Sequence, residues 1–153
     1  VNVRQAGRAL RLADFPRHIS VQTRYADLDP QRHVNNAAIG VVLAEARSQL
    51  AREIFDATCG NDDFVFMVGQ FAVSYLGQVH HPDPCDIGVA TMETGAKTVR
   101  VGQGLFQRGQ CLAVAESLLI GTRAGRPAVL PDVVRAAWDA LAVRDGLVPR
   151  QLA

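Results

Sequence analysis

The sequence predicts one α+β domain in which a curved antiparallel sheet wraps one long central helix and a short helix follows near the end. Three observations carry this. Residues 36–55 place Ile39, Leu43, Leu50 and Ile54 near helical spacing and are apolar around the first half of the run. From Phe64 onward, β-forming stretches follow one another with turn residues between them. A chain of 153 residues suits one compact core and is too short for two ordinary domains. A helix so apolar needs a sheet curved about it, and strands that follow it in a block make the class α+β.

In chain order, residues 1–16 are mixed and Arg-rich and read as an N-terminal arm or short edge element. Residues 18–25 alternate polar with apolar or β-forming side chains, the period of a half-buried strand, which Asp29-Pro30 ends. In the central helix the charges Glu45, Arg47, Arg52 and Glu53 arrive only in the second half, so the first half is expected to be buried nearly all round. Residues 56–63, with Gly60-Asn61-Asp62, form a turn. Residues 64–79 form a long strand with Phe71, Val73 and Tyr75 on one face and Ala72, Ser74 and Leu76 on the other.

His80-His81-Pro82-Asp83-Pro84 breaks that strand, and residues 87–93, 98–107 and 111–122 give three more, joined by turns at Gly95-Ala96 and Arg108-Gly109-Gln110. Pro131-Asp132 opens the second helix, with Asp132 as its cap and Val134, Ala137, Trp138 and Leu141 on one stripe. The tail after Gly146 reads as loose. The expected division is an arm at 1–16, a domain at 17–142 and a tail at 143–153.

Composition narrows the function. Apolar residues make up 48% and charged residues 20%, typical of a folded globular chain. The formal charge is +1, and the basic residues are spread along the chain rather than bunched with aromatics, so nucleic acid is not an expected partner. Cys59, Cys85 and Cys111 are odd in number and far apart, which argues against a disulfide framework or structural zinc and fits a reducing cytoplasm. No run reaches the roughly 18 apolar residues of a membrane span, and the first residues lack a signal-peptide apolar core.

The densest chemistry lies in Asp27-Leu28-Asp29-Pro30-Gln31-Arg32-His33-Val34-Asn35-Asn36, where a turn meets the start of the long helix. A carbonyl that becomes an oxyanion on attack is stabilised by free N–H groups and the positive end of a helix starting near Asn35 or Asn36. Asp29 at the turn before it can orient a water or attack directly, and His33 can position Asp29 or the substrate. Taken alone, Asp29 before Pro30 also suits a turn, and Asn35 or Asn36 an N-cap. Asp27 reads as solvating the strand end. His80, His81, Asp83, Cys85 and Asp86 cluster, but two prolines there favour a plain turn over a metal site. Gly102-Gln103-Gly104 lacks the third glycine of a dinucleotide loop, and no G-x-S-x-G elbow occurs.

The block from Arg24 to Asn36, with Glu45-Ala46-Arg47, Val73-Ser74-Tyr75-Leu76 and Gly125-Arg126-Pro127-Ala128-Val129-Leu130-Pro131, resembles hotdog-fold thioesterases of the 4-hydroxybenzoyl-CoA thioesterase and long-chain acyl-CoA thioesterase kind. The resemblance implies a hotdog domain that hydrolyses acyl-CoA or acyl-carrier-protein thioesters without metal or organic cofactor, as a homodimer or homotetramer. It makes Asp29 the catalytic carboxylate, His33 the histidine of the His-Val-Asn-Asn motif and the Asn36 backbone N–H the oxyanion donor. Asn35, Gln31, Glu45, Tyr75, Arg32 and Arg100 are the candidate substrate contacts, with Arg123 a further arginine for CoA phosphates. Plant acyl-carrier-protein thioesterases that share this motif have asparagine where this chain has Gln31.

Glu45 is the competing catalytic carboxylate, since another branch of the family places it on the central helix; otherwise it pairs with Arg47 or a neighbouring subunit. Two other functions fit the same fold. An enoyl-CoA hydratase would have Asp and His five apart, whereas Asp29 and His33 are four apart. A non-catalytic acyl-CoA-binding module is the third reading. Ile39, Leu43, Phe64, Phe66 and Phe71 are the candidate lining of an acyl tunnel.

Overall fold

The computed structural model describes residues 2–58 and 63–152. Its elements are α1 (Val3–Arg8), β1 (Arg17–Val21), α2 (Asn36–Thr58), β2 (Phe64–Tyr75), β3 (Cys85–Thr94), β4 (Thr98–Gln107), β5 (Gln110–Arg123), β6 (Arg126–Pro127) and α3 (Asp132–Asp139). Among the described residues the strands form one six-stranded sheet in the order β1-β3-β4-β5-β2, with the short β6 on β5. Every pairing is antiparallel. The curved sheet cradles α2, the α+β architecture the sequence predicts.

Period-2 alternation builds the two faces. Val99, Val101 and Leu105 of β4 and Ala113, Ala115 and Leu119 of β5 turn inward and pack with Ile39, Leu43, Ala46, Leu50 and Ile54 of α2. The helix is buried along this stripe, with Val42 and Arg47 buried at its margins. Ala37 and Val41 are exposed, so its first half is not enclosed all round: the sheet curves over one side and leaves the other open. Conversely, Arg47 is buried although it was expected among surface charges. The helix runs on to Thr58, so the turn expected at 56–63 begins later than supposed; residues 59–62 lie outside the described residues.

The other boundaries shift for local reasons. β1 ends at Val21, because Thr23 turns its hydroxyl to the Asp83 carbonyl and a 3-10 turn takes up Tyr25–Asp27. β2 stops at Tyr75, with a register shift between Val68 and Gln70. Arg108 and Gly109 both have positive φ, as a tight two-residue hairpin requires. Asp132 sits in the first turn of α3 and does not cap it; Pro131 holds the cap position, and Leu141 falls beyond the helix.

The convex face of the sheet is covered by the two ends of the described chain. The segment expected to be an arm contains α1, capped by Asn2, and a 3-10 turn at Leu12–Asp14. Its Phe15 ring lies against β3 and β4, where a Cβ at Gly88 would stand 2.4 Å from the ring. The tail is docked, not loose. Val148 is buried, and the buried Glu116 carboxylate accepts from the Gln151 N–H at 2.6 Å, the Leu152 N–H at 3.0 Å and Arg100 at 2.8 Å. Burial alone would raise the Glu116 pKa; the two amides and Arg100 reverse this and hold it below its ordinary value. No helix among the described residues is long and apolar enough to cross a membrane.

Glu116→Ala leaves the Gln151 and Leu152 amides without their acceptor and should destabilise the fold by about 2–4 kcal/mol. Denaturant unfolding measures the loss, and faster tryptic cleavage after Arg144 and Arg150 should report release of the tail.

Candidate active site

Between β1 and α2 the chain forms a tight loop that is closed by its own main chain. The Asp29 N–H donates to the His33 carbonyl at 2.9 Å and the Arg32 N–H to the Asp29 carbonyl at 2.9 Å. Arg32 takes φ 62° to complete the turn. Inside it, Asp29 Oδ1 accepts from the backbone N–H groups of Gln31 at 2.9 Å and His33 at 3.1 Å. Among the described residues nothing donates to Oδ2, so one carboxylate oxygen is fixed and the other is free. His33 therefore positions Asp29 through its backbone N–H; its ring stands edge-on to His80 with centroids 5.4 Å apart.

The loop is tied to the helix start. Buried Val34 donates to the Val79 carbonyl at 2.9 Å, and the Asn35 N–H donates to the Asp27 carbonyl at 2.8 Å. Asn35 is the N-cap: its Oδ1 accepts from the Ala37 N–H at 2.8 Å and its carbonyl accepts from the Ile39 N–H. Asn36 is the first helical residue, and among the described residues its N–H has no acceptor. The Tyr75 hydroxyl donates to the Asn36 carbonyl at 3.2 Å, fixing the helix start to β2.

Asp27 does not solvate the strand end. It is buried, and its carboxylate takes the Arg24 backbone N–H at 2.8 Å and the Arg24 guanidinium at 2.7 Å. Side-chain hydrogen bonds from Arg24, against the opposing effect of burial, hold its carboxyl below the ordinary range.

A recess of about 290 Å³ opens here, lined by Asp29, Gln31, His33, Asn35, Asn36 and Ile39 with Gly77–Val79 opposite. The structure thus brings together Asp29, Gln31, His33, Asn35 and Asn36, with Tyr75 on their flank. Gly77, Gln78 and Val79 carry no chemical signature in sequence and are found only through the fold. A second, mainly apolar cavity of about 350 Å³ lies near the far end of α2 between Ala51, Phe55, Phe64, Phe66 and Val134. Of the expected tunnel residues, Ile39 lines the recess, Phe64 and Phe66 line the apolar cavity, and Leu43 is fully buried in the core.

Other candidates fall elsewhere. Glu45 lies on the opposite flank of α2, beside Val21, Gln22 and Arg24, and accepts from Gln49 at 2.9 Å rather than pairing with Arg47. Arg100 is on the convex face, paired with Glu116 and Glu93. Arg123 pairs with Asp63 at 2.6 Å. Arg32 is exposed in the loop itself, between Gln31 and His33, and is not among the residues that line the recess. In the histidine segment, Gln107 donates to the carbonyls of His80 and Asp83 and accepts from the His80 N–H, which makes it a braced turn. Among the described residues no three His, Cys, Asp or Glu side chains are grouped to hold a metal ion. Burial pushes the thiols of Cys85 and Cys111 up to about 12, which leaves them protonated and unreactive.

Comparison with known proteins gives a match to the Thioesterase-like superfamily over residues 23–138. No functionally curated protein matches. Among solved structures, PA5185 from Pseudomonas aeruginosa superposes with a TM-score of 0.80 at 20% identity, covering 88% of this chain and 97% of that one. A thioesterase from Thermus thermophilus complexed with coenzyme A and Zn gives 0.72 at 28% identity, covering 91% and 98%. SAV2348 from Staphylococcus aureus, in complex with CoA, gives 0.74 at 11% identity, covering 89% and 93%. The family match spans the loop, the central helix and the sheet that frame the recess, and the chain therefore belongs to the thioesterase-like superfamily and has the hotdog fold.

Proposed function

We propose that this protein hydrolyses acyl thioesters of coenzyme A, or of the same pantetheine thiol on a carrier protein, to free acid and thiol. The observation that carries the reading is the convergence on one recess of a half-free carboxylate, Asp29, and an uncommitted helix N-terminal amide, Asn36 N–H. Support for the thiol comes from the Thermus and Staphylococcus neighbours, both of which hold CoA.

In this mechanism the thioester carbonyl oxygen faces the Asn36 N–H. Water adds to the carbonyl carbon while Asp29 Oδ2 takes its proton, and the resulting oxyanion is stabilised by that N–H and the helix dipole. Collapse breaks the C–S bond and releases the thiolate, a leaving group that needs little protonation. Asp29 is arranged for this: Oδ1 is anchored by two amides, so Oδ2 keeps one direction. Asn35 and Gln31, which line the recess, are the proposed contacts for the acyl and thiol groups, with Tyr75 behind the helix start, and exposed Arg32 in the same loop is the proposed contact for a CoA phosphate. Asp27 and Arg24 are positioning residues, acting through the Asn35 N–H.

Two copies are proposed to meet along β2. It is the terminal strand of the sheet on the side of the recess, and it exposes Val65, Met67, Val68, Phe71 and Tyr75.

Asp29→Asn should cut thiol release from acyl-CoA by at least 10²-fold with the fold intact, read by a thiol-reactive dye; unchanged activity would remove Asp29 from the chemistry. Asp27→Asn should lower kcat by tenfold or more with little change in KM. Because the folded pKa of Asp27 is depressed, its stabilisation is complete above the ordinary carboxylate range near about pH 4 and is lost as pH falls through the lower folded value. Denaturant melts across pH should accordingly show a steeper acid loss for the parent than for Asp27→Asn. Met67→Arg should convert dimers to monomers in sedimentation.

A further inference from the structure

Arg47 is a buried cation that the mechanism above does not use. It is 6% exposed, and its guanidinium lies 5.1 Å from the centroid of the Phe71 ring. One nitrogen, Nη1, donates to Ser117 Oγ at 2.9 Å. Among the described residues Nε and Nη2 have no acceptor and no carboxylate pairs with the group. The adjacent acid on β5, Glu116, points to the convex face and is committed to Arg100 and the tail. Glu45 and Glu53, on α2, face the β1 side, where Glu53 pairs with Arg17. Burial lowers the Arg47 pKa, yet a guanidinium does not deprotonate in proteins, so it remains a charge in a poorly solvating place. Such a group is costly to keep without an anion.

Its position says which anion fits. Arg47 lies three turns along α2 from Asn36, about 16 Å at the backbone. Helical side chains lean back toward the N-terminus. The ring it covers, Phe71, is the one that approaches Gly40, one turn beyond Asn36: a Cβ there would lie 3.9 Å from Phe71 Cε1. The strip Asn36, Gly40, Ala44 on this flank of α2 carries small or polar side chains and runs from the recess toward the guanidinium. Arg47 itself lines neither cavity; it stands on the helix between the polar recess and the apolar one.

We propose that Arg47 is the specificity residue for the far end of the acyl chain: it pairs with a carboxylate there, and the preferred substrates are CoA thioesters of short dicarboxylic acids. The proposal rests on the thioesterase reading of the recess and names its substrate class. The acyl carbonyl sits at the Asn36 N–H, the chain follows Gly40 and Ala44, and the distal carboxylate lies roughly 6–11 Å away, between one and two helical turns. A carboxylate meets the two open N–H edges of the guanidinium as a bidentate pair. A neutral methyl end would leave them unpaired, which is how sites built on polar contacts reject apolar analogues.

The test measures kcat/KM by thiol release for matched pairs, adipoyl-CoA against hexanoyl-CoA and suberoyl-CoA against octanoyl-CoA. In parallel, calorimetry measures binding of the free acids, adipate against hexanoate and suberate against octanoate. For the parent the dicarboxylic member of one pair should be favoured at least tenfold in both readouts. Arg47→Met should invert that ratio, Arg47→Lys should retain the preference in weakened form, and Ser117→Ala should lower it several-fold. A parent that favours the neutral members, or shows no preference, overturns the proposal whether or not the variants fold. An unchanged ratio in Arg47→Met together with weakened self-association in sedimentation also overturns it, and assigns the anion to a second copy of the chain. Absence of thiol release from every thioester overturns the thioesterase reading instead, and the acid-binding ratio then still decides the role of Arg47.

Discussion

The rotational setting of α2 is fixed at its first turn, and most of the molecule follows from it. Asp27 works in two directions: its carboxylate is held by Arg24, and its carbonyl receives the Asn35 N–H. Asn35 then caps the helix, leaving Asn36 as the first residue with a free amide. Starting the helix one residue earlier or later would turn it by about 100°. Leu43 would leave the core, Gly40 would leave Phe71, and Arg47 would leave Ser117. The clamp at Asp27 and the packing of α2 thus require the same register, and the proposed catalytic amide is a by-product of that agreement.

Three buried polar side chains hold the layers in place. Gln103 is fully buried in β4 and donates to the Leu43 carbonyl at 2.8 Å, pinning the middle of α2 to the sheet. Arg47 ties the next turn to β5. Glu116 faces the other way and fastens the tail over the convex face. Polar groups of this kind specify one arrangement because any other leaves them unpaired. The stiff scaffold is therefore built around the helix, while β2 and the open flank of α2 carry the exposed apolar surface.

Much of this was legible in the sequence. The apolar spacing of Ile39, Leu43, Leu50 and Ile54 located the central helix, and alternation located the strands to within a few residues. The polar block from Asp27 to Asn36 located the recess, because a carboxylate and a helix start adjoin there in sequence as well as in space. What periodicity does not encode is which long polar side chains are buried. Arg47 looked like the onset of a solvated face, and only the Phe71 ring and Ser117 across the sheet show otherwise. Asp27 looked like a loop acid, although Arg24 three residues earlier is the signal that it pairs locally. The docking of the tail depends on Glu116, some 35 residues away, a distance over which no local pattern reports. Gly77, Gln78 and Val79 enter the site purely through topology.

In the proposed reaction one main-chain N–H, presented by the clamp at Asp27, stabilises the reacting oxyanion. The most direct measurement replaces the Asn36 amide by an ester through semisynthesis, which deletes that N–H and leaves every side chain in place. The expected result is a loss of about 10²–10³ in kcat for thioester hydrolysis, with KM and the melting transition little changed. A variant that hydrolyses thioesters at the parental rate would contradict it.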